Sequence, residues 1–213
     1  KRGLFENPYC EIEKLEEAMR NEEKEEVSKK IAQDSLILLK NDGVLPIKKG
    51  TKIAVIGPHA DSLRYPVSGY TYPAYIEMMD AGRKNNAAVT FNGIADEQAK
   101  AEKEKAPKGP FDTLFDMLDE EDVKQLDDMN GVLRTLHTRS LKEVLSDRFE
   151  TVYAQGCDII GTSEDGFSDV VKAANESDVV VMALGGNCGW VNVTGGEGKD
   201  RQSLELPGVQ EKL

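Results

Sequence analysis

The side chains best placed to do chemistry lie in a glycine-dense loop near the C-terminal end of the chain, at residues 185–198. The loop follows an apolar run at 179–184 that has the composition of a buried strand. Open α/β sheets hold their ligands outside the carboxyl ends of such strands. Glu197 stands between two glycines of this loop, and Asp200 and Arg201 follow at once. A carboxyl group on such a backbone can be aimed at a ligand, so Glu197 is the first candidate for a functional residue.

Composition limits the partners that the chain can have. Its 213 residues carry a net charge of −12 at pH 7, with a pI near 4.8. Binding to nucleic-acid phosphates or to anionic lipid needs a basic face, so this charge argues against a nucleic-acid or membrane partner. The three cysteines have no metal-ligand spacing, and no other ligand cluster is apparent in the sequence. We therefore expect neither a metal nor another cofactor.

Strand and helix patterns alternate along the chain. Short apolar runs rich in β-branched residues predict strands at 52–57, 151–154 and 179–184. Helical spacing and capping signals, among them the capping box of Ser140 and Glu143, predict helices within 11–40, where Asn21 can cap a second helix, and at 140–149 and 168–176. Such alternation is typical of βαβ units. The predicted fold class is α/β, a partial three-layer α/β/α sandwich with a mainly parallel sheet of the flavodoxin-like kind.

The same patterns predict how the chain is organised. Residues 1–50 are interpreted as an interdomain linker with helices, and residues 51–213 as the first part of the sandwich domain. The proline- and tyrosine-rich stretch 58–82 predicts a long ordered loop, and the polar stretch 83–139 predicts a solvent-facing insertion. Because three strands are fewer than the usual five or six, we expect the sheet to be incomplete here, with residues 204–213 beginning another helix.

Five segments resemble family 3 glycoside hydrolases, the β-glucosidase and β-xylosidase family, and occur in the same order. They are GLFENPY at 3–9, SLILLKNDGVLPI at 35–47, KIAVIGPHAD at 52–61, VYAQGC at 152–157, and EGKDR with LELPGVQ within 197–210. The second is similar to the family's strongest signature, LLKNDGxLPL, and the last to its EGxDRxxLxLPGxQ block. All of them lie outside 72–139 and are spread over the rest of the chain in the family's order, so the chain is identified as a member of that family.

The resemblance implies a retaining glycosidase that hydrolyses terminal non-reducing β-linked sugars. β-D-Glucosides are the expected substrates, with β-xylosides as the alternative, so the partner would be an oligosaccharide or an aryl or alkyl β-glycoside. The family's nucleophilic aspartate belongs to a (β/α)8 barrel domain. This barrel and the remaining sandwich strands are expected elsewhere in the parent polypeptide, so the chain alone is expected to be inactive. Glu197 matches the position that the EGxDR block offers for the general acid/base.

Four residues are predicted to bind the substrate, and each has a structural alternative. Sugars stack on aromatic faces, which suits Trp190, although simple packing of the loop would also use this side chain. Tyr70 lies in a proline-rich loop that needs packing of its own. Asp200 and Arg201 are adjacent, and such a pair commonly fixes loop geometry through hydrogen bonds.

Two functions of other classes stay open at this point. A glycine loop after a strand is also typical of phosphate- or nucleotide-binding modules, although this loop fits neither the dinucleotide nor the Walker pattern. The other alternative is a non-catalytic ligand-binding or interaction domain that kept the fold. The intact Glu197 argues against that alternative.

Overall fold

The computed structural model describes residues 3, 5–7, 9, 11–15, 22–85, 123–124, 127–191, 193–197 and 199–213. Most of the predicted insertion at 83–139 lies outside these residues. The chain divides into two compact units, Lys1–Ile47 and Lys48–Leu213. None of the helices in the described part of the chain is long and apolar enough to cross a membrane.

The first unit holds a 3-10 turn at Ile12–Lys14 and one helix, α1, at Glu22–Asp34. The helix ends six residues before the predicted position. Just past its last residue, the Ser35 hydroxyl donates to the Ala32 carbonyl at 2.7 Å. Further on, the Asn41 side chain accepts from the amide of Gly43 at 3.1 Å, so this segment forms a turn of its own.

The second unit contains one parallel sheet with helices around it. Its strands lie in the order β2–β1–β3, so β1 is central. All three start within one residue of their predicted positions. The elements in chain order are β1 Lys52–Ile56, α2 Tyr72–Asn85, α3 Met129–Thr135, α4 Leu141–Ser146, β2 Glu150–Ala154, α5 Phe167–Asn175 and β3 Val179–Met182.

Helices cover both faces of the sheet. Ala154 of β2 packs with Val170 of α5 in an apolar cluster on one face. Tyr153 points to the opposite face because side chains alternate along a strand. There the ammonium group of Lys142, on α4, lies 5.0 Å from the centroid of the Tyr153 ring. Helices α4 and α5 therefore lie on opposite faces, which confirms the predicted three-layer α/β sandwich.

A network of hydrogen bonds fixes the N-terminus of α4. We call Asp61, Arg134, Ser140, Lys142 and Glu143 the capping network. The predicted capping box is present, since the Ser140 hydroxyl accepts from the Glu143 amide at 3.2 Å and the Glu143 carboxylate from the Ser140 amide at 2.8 Å. Asp61 accepts from the Ser140 hydroxyl at 2.6 Å and from the Lys142 ammonium at 2.5 Å. The network ties the segment after β1 to the helix before β2.

Helix α2 lies where the sequence predicts a loop. The prediction rested on the prolines of 58–82, but Pro73 is the second residue of the helix. The amides of a first helical turn have no hydrogen-bond partner within the helix, so a proline there costs no hydrogen bond. Its fixed φ also suits the helix.

Two smaller predictions are also wrong. Helix α5 is capped by Gly166 and not by Ser168, which lies inside the helix. A Cβ atom on Gly166 would lie 2.5 Å from the Gly156 carbonyl oxygen, so this close approach requires glycine. The predicted C-terminal helix at 204–213 is a series of bends and turns.

Candidate active site

The carboxyl ends of β1 and β3 meet closely. The Ala183 amide donates to the Ile56 carbonyl at 2.7 Å, and the Ala183 carbonyl accepts from the His59 amide at 3.2 Å. Gly57 has a φ of 104°, and a Cβ atom there would lie 2.5 Å from the Ala183 carbonyl oxygen. Only glycine fits this crossing. The loops that follow the two strands therefore start side by side.

A buried glutamine fixes the start of the glycine loop. The side-chain oxygen of Gln210 accepts from the Gly185 amide at 2.8 Å, and its nitrogen donates to the Gly185 carbonyl at 2.9 Å. The same nitrogen donates to the Ile159 carbonyl at 3.1 Å. Gln210 is only 1% exposed. Sequence reasoning missed this role. The available signal was that Gln210 is the last residue of the LPGVQ segment, which is part of a motif.

Two further sets of bonds shape the loop. The Asn187 amide donates to the Thr194 hydroxyl at 2.8 Å, and the Thr194 amide donates back to the Asn187 side-chain oxygen at 3.0 Å. Beyond this clamp, Gly196 and Lys199 exchange backbone hydrogen bonds of 3.0 and 3.1 Å. Glu197 therefore lies in a tight turn, and its side chain is exposed.

The carboxylate of Glu197 meets a tyrosine from the loop after β1. The Tyr70 hydroxyl donates to Oε2 of Glu197. This hydrogen bond is the main reason why the pKa of Tyr70 lies above its usual value. The Tyr70 ring meets Trp190 edge to face, with centroids 5.0 Å apart and planes at 73°. Trp190, Tyr70 and Glu197 thus form a chain of contacts.

Trp190 is the inner end of that chain. Its side chain is 8% exposed and packs against Ala74 and Met78 of α2. Its indole nitrogen is buried and has no hydrogen-bond partner among the described residues. The structure therefore anchors Tyr70 on the helix through Trp190. The predicted contact of Trp190 with substrate stays a prediction.

An ion pair braces the segment that carries Tyr70. The Arg64 guanidinium donates from Nε and Nη2 to one oxygen of Glu77, on α2, at 3.0 and 2.9 Å. Burial raises the pKa of Glu77, and the neighbouring Arg64 opposes this effect. A Cβ atom on Gly189 would lie 2.6 Å from Nη2 of Arg64, so the glycine loop passes directly over the guanidinium. Sequence reasoning missed this pair because its members are 13 residues apart and carry no motif.

Arg201 and Asp200 follow the turn of Glu197. Arg201 donates from Nη2 to the backbone carbonyl of Glu205, which fixes the local chain. Asp200 is exposed. Arg201 also lines a cavity of about 350 Å³, together with Tyr65, Pro66, Ser68, Asn187 and Cys188. Their contact with substrate, like that of Tyr70, stays a prediction.

His59 lies next to the start of the glycine loop. Burial lowers its pKa, and the backbone of Gly185 and Gly186 partly opposes this. Burial therefore favours the neutral imidazole. Among the described residues, no group of three or more His, Cys, Asp or Glu side chains could hold a metal ion.

A family model for the glycosyl hydrolase family 3 C-terminal domain matches residues 36–213. The chain belongs to glycoside hydrolase family 3. This match confirms the assignment made from the five sequence segments.

The chain is similar to several curated proteins of that kind. It is 28% identical to a β-xylosidase of Formosa agariphila over all of this chain and 22% of the relative. It is 24% identical to a probable exo-1,4-β-xylosidase of Aspergillus flavus, over 87% of this chain and 16% of the relative. A periplasmic β-glucosidase of Salmonella typhimurium is 24% identical over 99% of this chain and 23% of its own length. The chain thus spans about a fifth of the length of these relatives.

Among solved structures, the chain resembles a family 3 exo-β-xylosidase in complex with a xylobiose aziridine activity-based probe. The TM-score is 0.48 at 20% sequence identity, over 89% of this chain and 16% of the other.

Proposed function

We propose that this chain is part of a retaining β-glycosidase and that Glu197 is its general acid/base. The observation that carries the proposal is the exposed carboxyl group of Glu197 in the Gly196–Lys199 turn, beyond the carboxyl end of β3 in a member of family 3. A nucleophilic aspartate would come from a (β/α)8 barrel domain of the same enzyme.

The proposed chemistry needs two carboxyl groups about 5–5.5 Å apart. The aspartate attacks the anomeric carbon while Glu197 gives its proton to the leaving oxygen. Glu197 then takes a proton from the water that attacks the glycosyl-enzyme. Because this chain would supply only one of the two groups, it is expected to have no glycosidase activity alone.

The proposed substrates are terminal non-reducing β-linked sugars in oligosaccharides or in aryl and alkyl β-glycosides. β-D-Glucosides and β-D-xylosides are both candidates, since the curated relatives include proteins named β-glucosidase and β-xylosidase. Relative kcat/KM on the 4-nitrophenyl β-glucoside and β-xyloside would separate the two. Tyr70, Trp190, Asp200 and Arg201 are the proposed substrate-binding residues of this chain.

The decisive experiment replaces Glu197 by alanine in the full-length enzyme. We expect kcat on substrates with poor leaving groups to fall about 10²- to 10⁴-fold, as on loss of a general acid. With an activated aryl glycoside, azide should restore turnover and give a glycosyl azide of retained β configuration. Azide needs no general base, so it can displace the enzyme aspartate from the anomeric carbon.

Glu164→Ala is the matched control. Glu164 is another glutamate of the same unit, and its carboxylate pairs with Lys212 at 2.5 Å. This variant should keep wild-type activity and show no effect of azide. If Glu197→Ala keeps wild-type activity on unactivated substrates, Glu197 is a loop residue and the proposed function fails.

A further inference from the structure

Tyr70 reaches the Glu197 carboxylate from a different part of the chain, 127 residues away. Its hydroxyl donates to Oε2 and leaves Oε1 without this donor. We propose that Tyr70 is a positioning residue that holds the Glu197 carboxyl group and directs its transferable proton to Oε1. The inference rests on the proposed role of Glu197 as the acid/base.

The backbone of Tyr70 supports this assignment. Its φ is 55°, and the other non-glycine residue with positive φ in the described part of the chain is His137. A bulky side chain in the left-handed region is an outlier, and such strain concentrates at functional sites. Glycine would fit this backbone at lower cost. The tyrosine at a position that favours glycine indicates that its side chain is needed there.

Tyr70 is 76% exposed, and its ring contact with Trp190 orients it. The ring packs edge to face on the buried Trp190, which is anchored on α2. The Arg64–Glu77 ion pair ties the preceding segment to the same helix. A tyrosine side chain has only two rotatable bonds, so this edge contact narrows the positions that its hydroxyl can take.

This geometry assigns different tasks to the two oxygens of Glu197. In the first step Oε1 gives its proton to the glycosidic oxygen as the bond from that oxygen to the anomeric carbon breaks. In the second step Oε1 takes a proton from the attacking water as the bond to the enzyme aspartate breaks. The Tyr70 hydrogen bond to Oε2 persists through both steps.

The test is Tyr70→Phe in the full-length enzyme, which keeps the ring on Trp190 and removes the hydroxyl. On a substrate with a poor leaving group, kcat should fall about 3- to 10-fold while KM stays near its wild-type value, because a misplaced acid slows proton transfer. On an activated aryl glycoside, where the second step limits turnover, kcat should fall about 3- to 10-fold.

Tyr75→Phe is the matched control, since Tyr75 is a half-exposed tyrosine on α2, the helix against which Trp190 packs. It should leave both kcat and KM unchanged. A Tyr70→Phe enzyme with a wild-type kcat would overturn the inference, and so would one that fails to fold, because the hydroxyl would then be structural.

The azide experiment separates this outcome from a failure of the proposed function. If azide rescues Glu197→Ala while Tyr70→Phe behaves as wild type, the acid/base assignment stands and the positioning role fails. If azide has no effect on Glu197→Ala, the proposed function fails and the positioning role fails with it.

Discussion

Glu143 in the capping network and Glu197 in the glycine loop are two carboxylates of the second unit with different hydrogen-bond partners. In the capping network, Glu143 accepts two hydrogen bonds from Arg134, at 2.8 and 2.6 Å, and one from the Ser140 amide. These bonds, with that from Arg134 as the largest cause, lower its pKa to about 2. In the glycine loop, Glu197 is exposed and is held by the hydroxyl of Tyr70.

The difference separates a structural carboxylate from one that is available to a ligand. A carboxylate whose oxygens are bonded to cations and backbone amides stabilises the fold and cannot easily take up a proton. An exposed carboxylate with one neutral donor keeps an oxygen free for proton transfer. The contrast can be tested through stability, since only the first kind should matter for folding.

The largest effect on stability is expected for Asp61→Ala. The Ser140 hydroxyl is completely buried and would lose its acceptor, as would the Lys142 ammonium. We expect the free energy of unfolding to fall by about 2 kcal/mol, the usual cost of leaving such groups unpaired. Urea unfolding followed by the fluorescence of Trp190, the single tryptophan, measures it. The exposed Glu205→Ala is the control, and a loss for Asp61→Ala no larger than for that control would contradict the structural role of the network.

A smaller effect is expected for Glu143→Gln, and the difference from the wild type should shrink as the pH falls towards 2. The folded-state pKa of Glu143, about 2, lies below the reference value of 4.5. Its contribution to stability is therefore complete above pH 4.5 and is lost as the pH falls towards 2. The wild-type free energy of unfolding should decline over this range, and the variant should decline less steeply.

Urea titrations at several pH values between 2 and 6 measure that slope. Glu205→Gln should keep the wild-type slope. If Glu143→Gln also keeps it, the hydrogen bonds of Arg134 to Glu143 do not stabilise the folded chain.

The smallest effect on stability is expected for Glu197→Gln. Because the side chain is exposed, the free energy of unfolding should change by less than about 0.5 kcal/mol. Thermal and urea unfolding of the purified chain are sufficient to check this. A loss as large as that of Asp61→Ala would remove the distinction between the two kinds of carboxylate.

Local patterns were enough for much of the fold. The strands were predictable because buried parallel strands are short runs of β-branched residues, and the α4 capping box because Ser140 and Glu143 act within one turn. Helix α2 was missed because Pro73 was interpreted as a loop signal, although proline is also common in a first helical turn. The cap of α5 was missed because Gly166 is required by its close approach to Gly156, just after β2, and this approach exists only in the folded chain.

For the candidate site, the sequence alone determined the family, the position of Glu197 in a glycine turn and the strand that leads to it. Only the tertiary structure decided that Tyr70 meets Glu197, that Trp190 supports Tyr70 and that Gln210 holds the start of the loop. The physical reason is the parallel sheet. It brings the carboxyl ends of distant strands to one edge, where loops far apart in sequence come into contact, and no local pattern records which side chains will meet there.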